Sequence, residues 1–324
     1  MKVHILDDWF DTLRGLPSFA RLDGHDVTVW TDHVEDIDTL AARLAPAEAL
    51  VLFRERTAIP GALLDRLPGL KLISQRSVYP HVDVPGCTRN RVLLSSNMHS
   101  DTPSIAASEL TFGLLLASAR QIPQQMASLR AGTWQLAPGQ TVAGRRLGLY
   151  GYGRIAKQVA HYARAFGMEV VWWGSEAGRA RAAAAGETVA ESRERFFADS
   201  DFVSLHVRLK PETRGIITRA DLLAMKPSAS FINTSRSGLV EKGALEAALA
   251  AGRPGRIALD VFDVEPLTDP ANPLVQHPAV IATPHIGYVT EDELDLQFAD
   301  IYDQINAYAA GEPIHMINPE VWPN

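Results

Sequence analysis

The sequence predicts an α/β protein built from two doubly wound parallel sheets. Three observations support this prediction: a length of 324 residues, two successive series in which short β-rich runs alternate with helical patterns, and a glycine-rich turn directly after an apolar strand. Alternation at this spacing is typical of βαβ units and parallel sheets. At about 150 residues per domain, the length indicates two domains rather than one.

The first series runs from the amino terminus to about residue 100. Thr102 followed by Pro103 predicts the N-cap and first residue of a long apolar helix, which ends this series. A helical pattern at residues 36–44 separates two of its strands. The predicted strands are residues 3–6, 27–30, 49–53, 70–74 and 92–95.

The second series follows a stretch with Gly and Pro at residues 137–144. A last helical pattern at residues 291–310 is too short to form a domain, so we expect it to return to the first domain. The sequence therefore predicts a discontinuous domain of residues 1–100 plus 286–324 and an inserted domain of residues 101–285. The predicted strands of the inserted domain are residues 146–150, 169–173, 202–206, 230–233 and 256–261.

Composition excludes several classes of function. The net charge is −7 and there is no basic tract, so no footprint for nucleic acid or an anionic membrane surface is expected. The amino terminus lacks the apolar segment of a signal peptide, and no apolar run is long enough to span a membrane. The single cysteine, Cys87, cannot form an internal disulfide. We therefore expect a cytoplasmic protein. The histidines lack the spacing of metal ligands, so no metal site is expected.

The glycine-rich turn has the sequence G-x-G-x-x-A at residues 151–156, between an apolar strand and an amphipathic helix. Gly151 permits a tight turn, Gly153 allows backbone N–H groups to approach a pyrophosphate, and Ala156 allows close packing of helix on strand. Such turns also join strands to helices where no ligand binds, but this context favours a dinucleotide.

The next strand lacks the carboxylate that binds a ribose 2′-hydroxyl in many NAD-binding proteins. It ends in Gly174 and Ser175 instead. A 2′-phosphate would then meet no repulsion, and Ser175, Arg179 or Arg181 is available to contact it, although arginines at such positions are often solvated. This favours NADP slightly over NAD.

Three later segments each combine a strand end with polar residues: 231–238, 258–266 and 281–288. In open α/β sheets, ligands gather at these strand ends. Arginine grips a carboxylate with two parallel hydrogen bonds, and histidine exchanges a proton near neutral pH. These segments therefore contain side chains that bind a carboxylate and exchange a proton.

With these motifs in this order, the chain resembles the D-isomer-specific 2-hydroxyacid dehydrogenases, which include glyoxylate/hydroxypyruvate reductases and 3-phosphoglycerate dehydrogenases. The resemblance covers nearly the whole chain. It implies a flavodoxin-like substrate domain and a Rossmann domain that binds NAD(P). It also implies hydride transfer between NAD(P)H and a small 2-oxo acid or D-2-hydroxy acid, with glyoxylate or hydroxypyruvate as candidate substrates.

The resemblance implies a role for each residue of these motifs. Arg236 would bind the substrate carboxylate and carbonyl, and His285 would be the acid/base. Glu265 would pair with His285, and a carboxylate at that place favours the imidazolium and keeps the acid loaded. Asp260 would hold the nicotinamide carboxamide. The implied cofactor-binding residues are Gly151, Tyr152, Gly153, Arg154, Ile155, Gly174, Ser175, His206, Val207, Thr213, Thr234, Ser235, Arg236, Asp260, His285 and Gly287.

On the substrate side, the family has a glycine-rich loop whose backbone N–H groups face the substrate carboxylate. The aligned residues 76–83 lack both glycines. The backbone N–H groups of Ser77, Val78 and Tyr79 are still expected to bind substrate together with Arg236, and Arg76 becomes a candidate for lining the pocket.

The sequence also bears on the oligomeric state and on alternative functions. The unbroken apolar content of residues 110–116 exceeds what one helix face needs, and the resemblance places a subunit interface there, so a homodimer is expected. Regulatory 3-phosphoglycerate dehydrogenases usually carry an extra carboxy-terminal domain. One is not expected here, because the chain ends at Asn324. The alternatives are a dinucleotide-sensing corepressor of the same fold, and a phosphite or formate-type dehydrogenase. Formate dehydrogenases use glutamine where Glu265 stands.

Overall fold

The computed structural model describes residues 1–98 and 105–322, so the N-cap predicted at Thr102 and Pro103 lies outside the described residues. The strands are β1 (Lys2–Ile5), β2 (Asp26–Val29), β3 (Ala49–Val51), β4 (Leu72–Arg76), β5 (Leu93–Asn97), β6 (Arg146–Tyr150), β7 (Glu169–Trp173), β8 (Phe202–Leu205), β9 (Ser230–Asn233), β10 (Arg256–Leu259) and β11 (Val280–Ala282). The α-helices are α1 (Ile37–Leu44), α2 (Gly61–Leu64), α3 (Val84–Arg89), α4 (Ala106–Arg120), α5 (Ile122–Arg130), α6 (Arg154–Ala165), α7 (Glu176–Ala184), α8 (Arg193–Asp199), α9 (Arg219–Ala224), α10 (Ala244–Ala251), α11 (Pro273–Gln276) and α12 (Glu291–Ala309).

The chain divides into two compact units. Unit 1 is Met1–Pro103 with Val289–Asn324, and unit 2 is Ser104–Tyr288. Each unit contains one sheet, and every strand pair in both sheets is parallel. The predicted α/β class with two doubly wound parallel sheets is therefore confirmed.

The sheet of unit 1 has the strand order β2-β1-β3-β4-β5, which is the flavodoxin-like order. Helix α12 packs on its strand β4 through buried hydrogen bonds. The Ser74 hydroxyl donates to the carbonyl of Ile301 at 2.8 Å, and the Gln304 amide donates to the Gln75 carbonyl at 2.9 Å. The last long helix of the chain thus completes a sheet whose strands all precede residue 98.

The sheet of unit 2 has the order β11-β10-β9-β8-β6-β7. From β6 the chain first adds β7 on one side and then returns to add β8 on the other side. The connections leaving β6 and β8 therefore diverge at this point, and in open α/β sheets a crevice that binds ligands forms at the carboxyl ends of such strands. Both faces of the sheet carry apolar clusters, as a doubly wound sheet requires.

Helix α4 belongs to the core of unit 2. Phe112, Leu114 and Leu115 are buried, and the Ser118 hydroxyl forms a 2.8 Å hydrogen bond with the hydroxyl of Ser230 on β9. Leu110 and Leu116 of the same run are only half-buried, so part of the run packs within unit 2 and its role in a subunit interface stays a prediction. Within residues 1–98 and 105–322, no helix is both long and apolar enough to span a membrane.

Candidate active site

The turn formed by residues 151–156, hereafter the glycine turn, lies where β6, β7 and β8 end together. The Gly151 N–H donates to the Trp173 carbonyl at 2.8 Å, and the His206 N–H donates to the Tyr150 carbonyl at 2.8 Å. Gly151 has φ +112°, and a Cβ built on it would lie 2.4 Å from the His206 carbonyl oxygen. Only glycine fits this position.

Helix α6 begins directly after the glycine turn, with Gly153 as its N-cap. Ala156 is fully buried beneath the turn, as the close approach of helix and strand requires. The first backbone N–H groups of a helix have no intrahelical partner and favour an anion. Arg154, the first residue of α6, is exposed beside them, whereas Ile155 packs against the core and Tyr152 packs edge-on against Trp172. The turn therefore fits the pyrophosphate of a dinucleotide.

The carboxyl end of β7 carries no carboxylate, as the sequence predicted. Gly174 has φ +146° and lies against Gly151, and Ser175 is the N-cap of α7 through a hydrogen bond from the Gly178 N–H. The guanidinium of Arg179 stacks on the Trp173 ring at 4.2 Å and donates to the Gly174 carbonyl at 3.1 Å. A cation is thus held at the strand end where the ribose of a bound dinucleotide lies in this fold.

The end of β8 supplies main-chain contacts rather than charge. Burial lowers the pKa of His206 to about 3, so its ring is neutral, and its Nε2 is hydrogen-bonded to the Ser204 hydroxyl at 2.9 Å. Val207 packs beside Gly151. The Thr213 hydroxyl donates to the Arg208 carbonyl and closes its own turn, so this predicted cofactor contact is already engaged within the protein.

The segment after β9 is ordered by a residue that the sequence analysis left without a role. Asn233 is 1% exposed; its side chain accepts from the Ser235 N–H at 3.0 Å and donates to the Arg236 carbonyl at 2.9 Å. The Ser235 hydroxyl donates to the Leu205 carbonyl, and the hydroxyls of Thr234 and Thr111 are 2.7 Å apart. Asn233 therefore shapes the loop that carries Arg236.

Residues 283–287, hereafter the histidine turn, follow β11 and are held by Asp260. The Asp260 carboxylate accepts hydrogen bonds from the Thr283 hydroxyl at 2.6 Å, the Ile286 N–H at 2.8 Å and the Gly287 N–H at 2.9 Å. Burial raises the pKa of Asp260, against the opposing effect of these donors. Asp260 is fully buried and orients this turn, and its predicted contact with a carboxamide stays a prediction.

Glu265 and His285 form the central pair of the site. Glu265 Oε2 lies 2.6 Å from His285 Nδ1, and Oε1 accepts from the Phe262 N–H at 2.8 Å. Burial alone would raise the pKa of Glu265, but the hydrogen bond with His285 and the nearby charges of His285 and Arg236 outweigh it, so the pKa lies below its usual range. An ionised carboxylate only accepts, so Nδ1 carries a proton.

The other ring nitrogen of His285 is the reactive candidate. In the described part of the chain, no group is hydrogen-bonded to Nε2, and the side chain is 25% exposed. His285 itself has φ +53°, a left-handed conformation that is uncommon for a residue with a Cβ. Such conformations persist only where surrounding contacts hold them, and here Asp260 supplies those contacts.

The predicted substrate loop lies in unit 1, after β4. The Ser77 N–H donates to the Asn97 carbonyl at 3.0 Å, so this amide already has an acceptor within the protein. Val78 is exposed, and Tyr79 packs against the core of unit 1. Arg76 is paired with Asp300 at 3.1 Å. Substrate binding by Ser77, Val78 and Tyr79 stays a prediction.

Comparison with known proteins bears on this arrangement. Residues 112–287, more than half of the chain, match the family model for the D-isomer specific 2-hydroxyacid dehydrogenase, NAD binding domain. The chain belongs to the D-isomer-specific 2-hydroxyacid dehydrogenase family. The glycine turn, Arg236, Asp260, Glu265 and His285 all lie within the matched range, so the resemblance seen in the sequence is confirmed.

Several named proteins are similar to this chain. A D-3-phosphoglycerate dehydrogenase of Mycobacterium tuberculosis is 36% identical over 304 residues, which are 91% of this chain and 56% of that protein. A hydroxypyruvate reductase of Thermotoga maritima is 31% identical over 82% of this chain and 86% of its own length. The chain spans about half the length of the phosphoglycerate dehydrogenases it matches.

Among solved structures, a phosphoglycerate oxidoreductase from Vibrio cholerae O395 is similar over 96% of this chain and 99% of its own. The TM-score is 0.90 and the identity is 44%. The fold of both units is therefore that of a known oxidoreductase structure.

Proposed function

We propose that the chain transfers a hydride between NAD(P)H and a small 2-oxo acid or D-2-hydroxy acid of the glyoxylate or hydroxypyruvate type. The observation that carries this proposal is the 2.6 Å contact between Glu265 and His285 Nδ1, while Nε2 has no hydrogen bond within the part of the chain that the structure describes. The same unit contains the glycine turn that fits a dinucleotide. The resemblance to a named hydroxypyruvate reductase supports the substrate class.

The residues divide the work of carbonyl reduction. The reduced nicotinamide supplies, when bound, the hydride that adds to the carbonyl carbon. His285 donates the Nε2 proton to the carbonyl oxygen as negative charge develops there, and Glu265 stabilises the imidazolium before that transfer. Arg236 binds the substrate carboxylate through its planar fork of N–H donors. The oxidation of a hydroxy acid runs through the same groups in reverse, with His285 as the base.

Replacement of His285 tests the assignment. We expect His285→Ala to lower kcat by about a thousandfold or more with glyoxylate or hydroxypyruvate, because proton transfer and orientation are both lost. The dissociation constant for NADPH, measured by fluorescence titration, should change little, since the glycine turn is intact. If the wild type turns over neither glyoxylate nor hydroxypyruvate with NADH or NADPH, the proposed function is overturned.

The proposal extends to a preference for NADP over NAD. The cation of Arg179 at the end of β7, and the absence of a carboxylate there, support it. Arg179→Ala should weaken NADPH binding by about tenfold and leave NADH binding nearly unchanged, since a charge-assisted contact to phosphate is worth about this much. Arg181→Ala, which removes an exposed arginine of the same helix, is the matched control. Tighter binding of NADH than NADPH to the wild type would refute the preference.

We also propose a cytoplasmic homodimer. The single buried cysteine fits a reducing compartment. Helix α5 has no buried residue, yet Ile122, Met126 and Leu129 recur on one face at 51%, 52% and 59% exposure. An apolar face of this kind favours a protein partner. In light scattering, Met126→Glu combined with Leu129→Glu should convert the dimer to a monomer; a monomeric wild type at micromolar concentration would contradict the proposal.

A further inference from the structure

The imidazole of His285 needs more than its hydrogen bond to be oriented. The bond from Nδ1 to Glu265 fixes one corner of the ring, but the plane of the ring can still swing about that corner. A swing of moderate size moves Nε2 by about 1 Å, and a misplacement of this size at a reacting atom reduces the rate strongly. A second contact that fixes the plane would therefore matter for catalysis.

Tyr288 provides such a contact. Its ring centroid lies 5.6 Å from that of His285, and the two planes meet at 84°, which is an edge-to-face arrangement. This is a preferred geometry for aromatic pairs, because the positive edge of one ring meets the negative face of the other. Tyr288 is half-buried and is the last residue of unit 2, directly after the histidine turn.

The backbone of the histidine turn carries Tyr288 to this place. The N–H groups of Ile286 and Gly287 are both bound to Asp260, so the chain that leads from His285 to Tyr288 is fixed at two successive peptides. A Cβ on Gly287 would lie 3.1 Å from Asp260 Oδ2, so a small residue is needed between them. The two rings are therefore set by one rigid turn.

We propose that Tyr288 is a positioning residue that fixes the plane of the His285 imidazole through its aromatic ring. Glu265 holds Nδ1, Asp260 holds the backbone, and Tyr288 limits the rotation that remains. Among the described residues, Asp260 and Glu265 interact electrostatically with His285, and Arg236 interacts with Glu265; none of these three side chains has an aromatic ring that could make an edge-to-face contact. The catalytic part of this inference rests on the proposed function, but the contact itself does not.

Nuclear magnetic resonance of the enzyme without substrate tests the contact. An aromatic ring near an imidazole shifts the resonance of its Cε1–H through the ring current. With labelled histidine, the His285 signal is identified among the ten histidines by its loss in His285→Gln. Tyr288→Leu should move this signal and Tyr288→Phe should leave it nearly in place. Phe166→Leu, which removes an exposed ring elsewhere in unit 2, is the matched control.

Steady-state kinetics test the consequence. Tyr288→Leu should lower kcat by about tenfold with KM changed less than about twofold, because proton transfer rather than binding is disturbed. Tyr288→Phe should keep kcat within about twofold of the wild type, because the ring and not the hydroxyl makes the contact. With deuterated reduced cofactor, the isotope effect on kcat should rise in Tyr288→Leu as the chemical step becomes slower.

Each result bears on the proposal separately from the proposed function. An unshifted His285 signal in Tyr288→Leu would show that the contact is absent, whatever the enzyme turns over. A shifted signal with an unchanged kcat would overturn the positioning role, and an equal loss in Tyr288→Phe would assign the effect to the hydroxyl instead. If Tyr288→Leu fails to fold, Tyr288→Met applies the same test.

Discussion

The glycine turn and the histidine turn solve the same geometric problem by opposite means. Both follow a strand of the unit 2 sheet, and both place a residue at positive φ: Gly151 at +112° and His285 at +53°. The first uses the residue that has no Cβ to clash. The second keeps a side chain in the left-handed region and holds it with three hydrogen bonds to the buried Asp260.

This difference follows from what each turn must present. A turn that binds a pyrophosphate presents its own backbone, so the absence of a side chain serves it directly. A turn that donates a proton must present an imidazole, so glycine is excluded and the backbone has to be held by contacts from elsewhere. Structural support is therefore local in one turn and tertiary in the other.

The largest effect is expected from a substitution in the glycine turn, whose conformation depends on a residue without a Cβ. Gly151→Ala places a Cβ 2.4 Å from the His206 carbonyl oxygen, so we expect NADPH affinity to fall about a hundredfold and the free energy of unfolding to fall by roughly 2 kcal/mol. In Gly153→Ala the nearest such atom is 4.0 Å away, and the loss of stability should stay within about 1 kcal/mol. Urea unfolding and fluorescence titration measure both; equal destabilisation would contradict the steric argument.

The next largest effect is expected from a substitution of Asp260, whose carboxylate holds the histidine turn. Asp260→Ala leaves two backbone N–H groups without their acceptor, so we expect the free energy of unfolding to fall by about 1–3 kcal/mol and kcat by about a hundredfold as His285 loses its place. Asp260→Asn retains one acceptor oxygen and should lie between. The exposed neighbour in Asp263→Asn is the control. A kcat in Asp260→Ala equal to that of the wild type would refute the support role.

Measurements over a range of pH test how ionised Glu265, beside His285, contributes to stability. The pKa of Glu265 is lower in the folded protein than its ordinary value of about 4.3. The stabilisation from its ionised form is therefore complete above that value and is lost as the pH falls through the lower folded value. Melting temperatures of the wild type and Glu265→Gln should differ near neutral pH and converge only as the pH falls through the lowered folded pKa. A constant gap down to low pH would rule this out.

The smallest effect concerns unit 1. Ser77 has φ +76° at the position where the predicted loop lacks a glycine. Its N–H donates to the Asn97 carbonyl, and its carbonyl accepts from the Gln75 amide and the Ser96 hydroxyl, so these backbone contacts hold a residue with a Cβ at positive φ and would be kept by glycine. Ser77→Gly should therefore raise the free energy of unfolding, by less than about 1 kcal/mol, since relief of strain exceeds the added freedom of the unfolded chain. A decrease in denaturant unfolding would show that the serine is unstrained.

The contrast between the two turns also explains which features could be predicted from the sequence and which could not. The two sheets and the glycine turn were predictable because hydrophobic period and glycine spacing are local signals. Arg236, Glu265 and His285 were recognised by motif, and the structure places Glu265 against His285. The supporting roles of Asn233 and Asp260 and the contact of Tyr288 were not predicted, because they depend on which peptide groups fold next to a side chain. The burial of Phe112, Leu114 and Leu115 in α4 was not predicted either, because it depends on tertiary packing.

The packing of α12 on β4 has a consequence for the order in which the chain can fold. Ser74 and its acceptor Ile301 are 227 residues apart, whereas all of unit 2 is one continuous segment between them. During synthesis the inserted unit can therefore complete its sheet first, while the strands made earliest still lack the helix that covers them. Unit 1 can thus become native only after the inserted unit has been made, and its exposed strands need protection in the meantime.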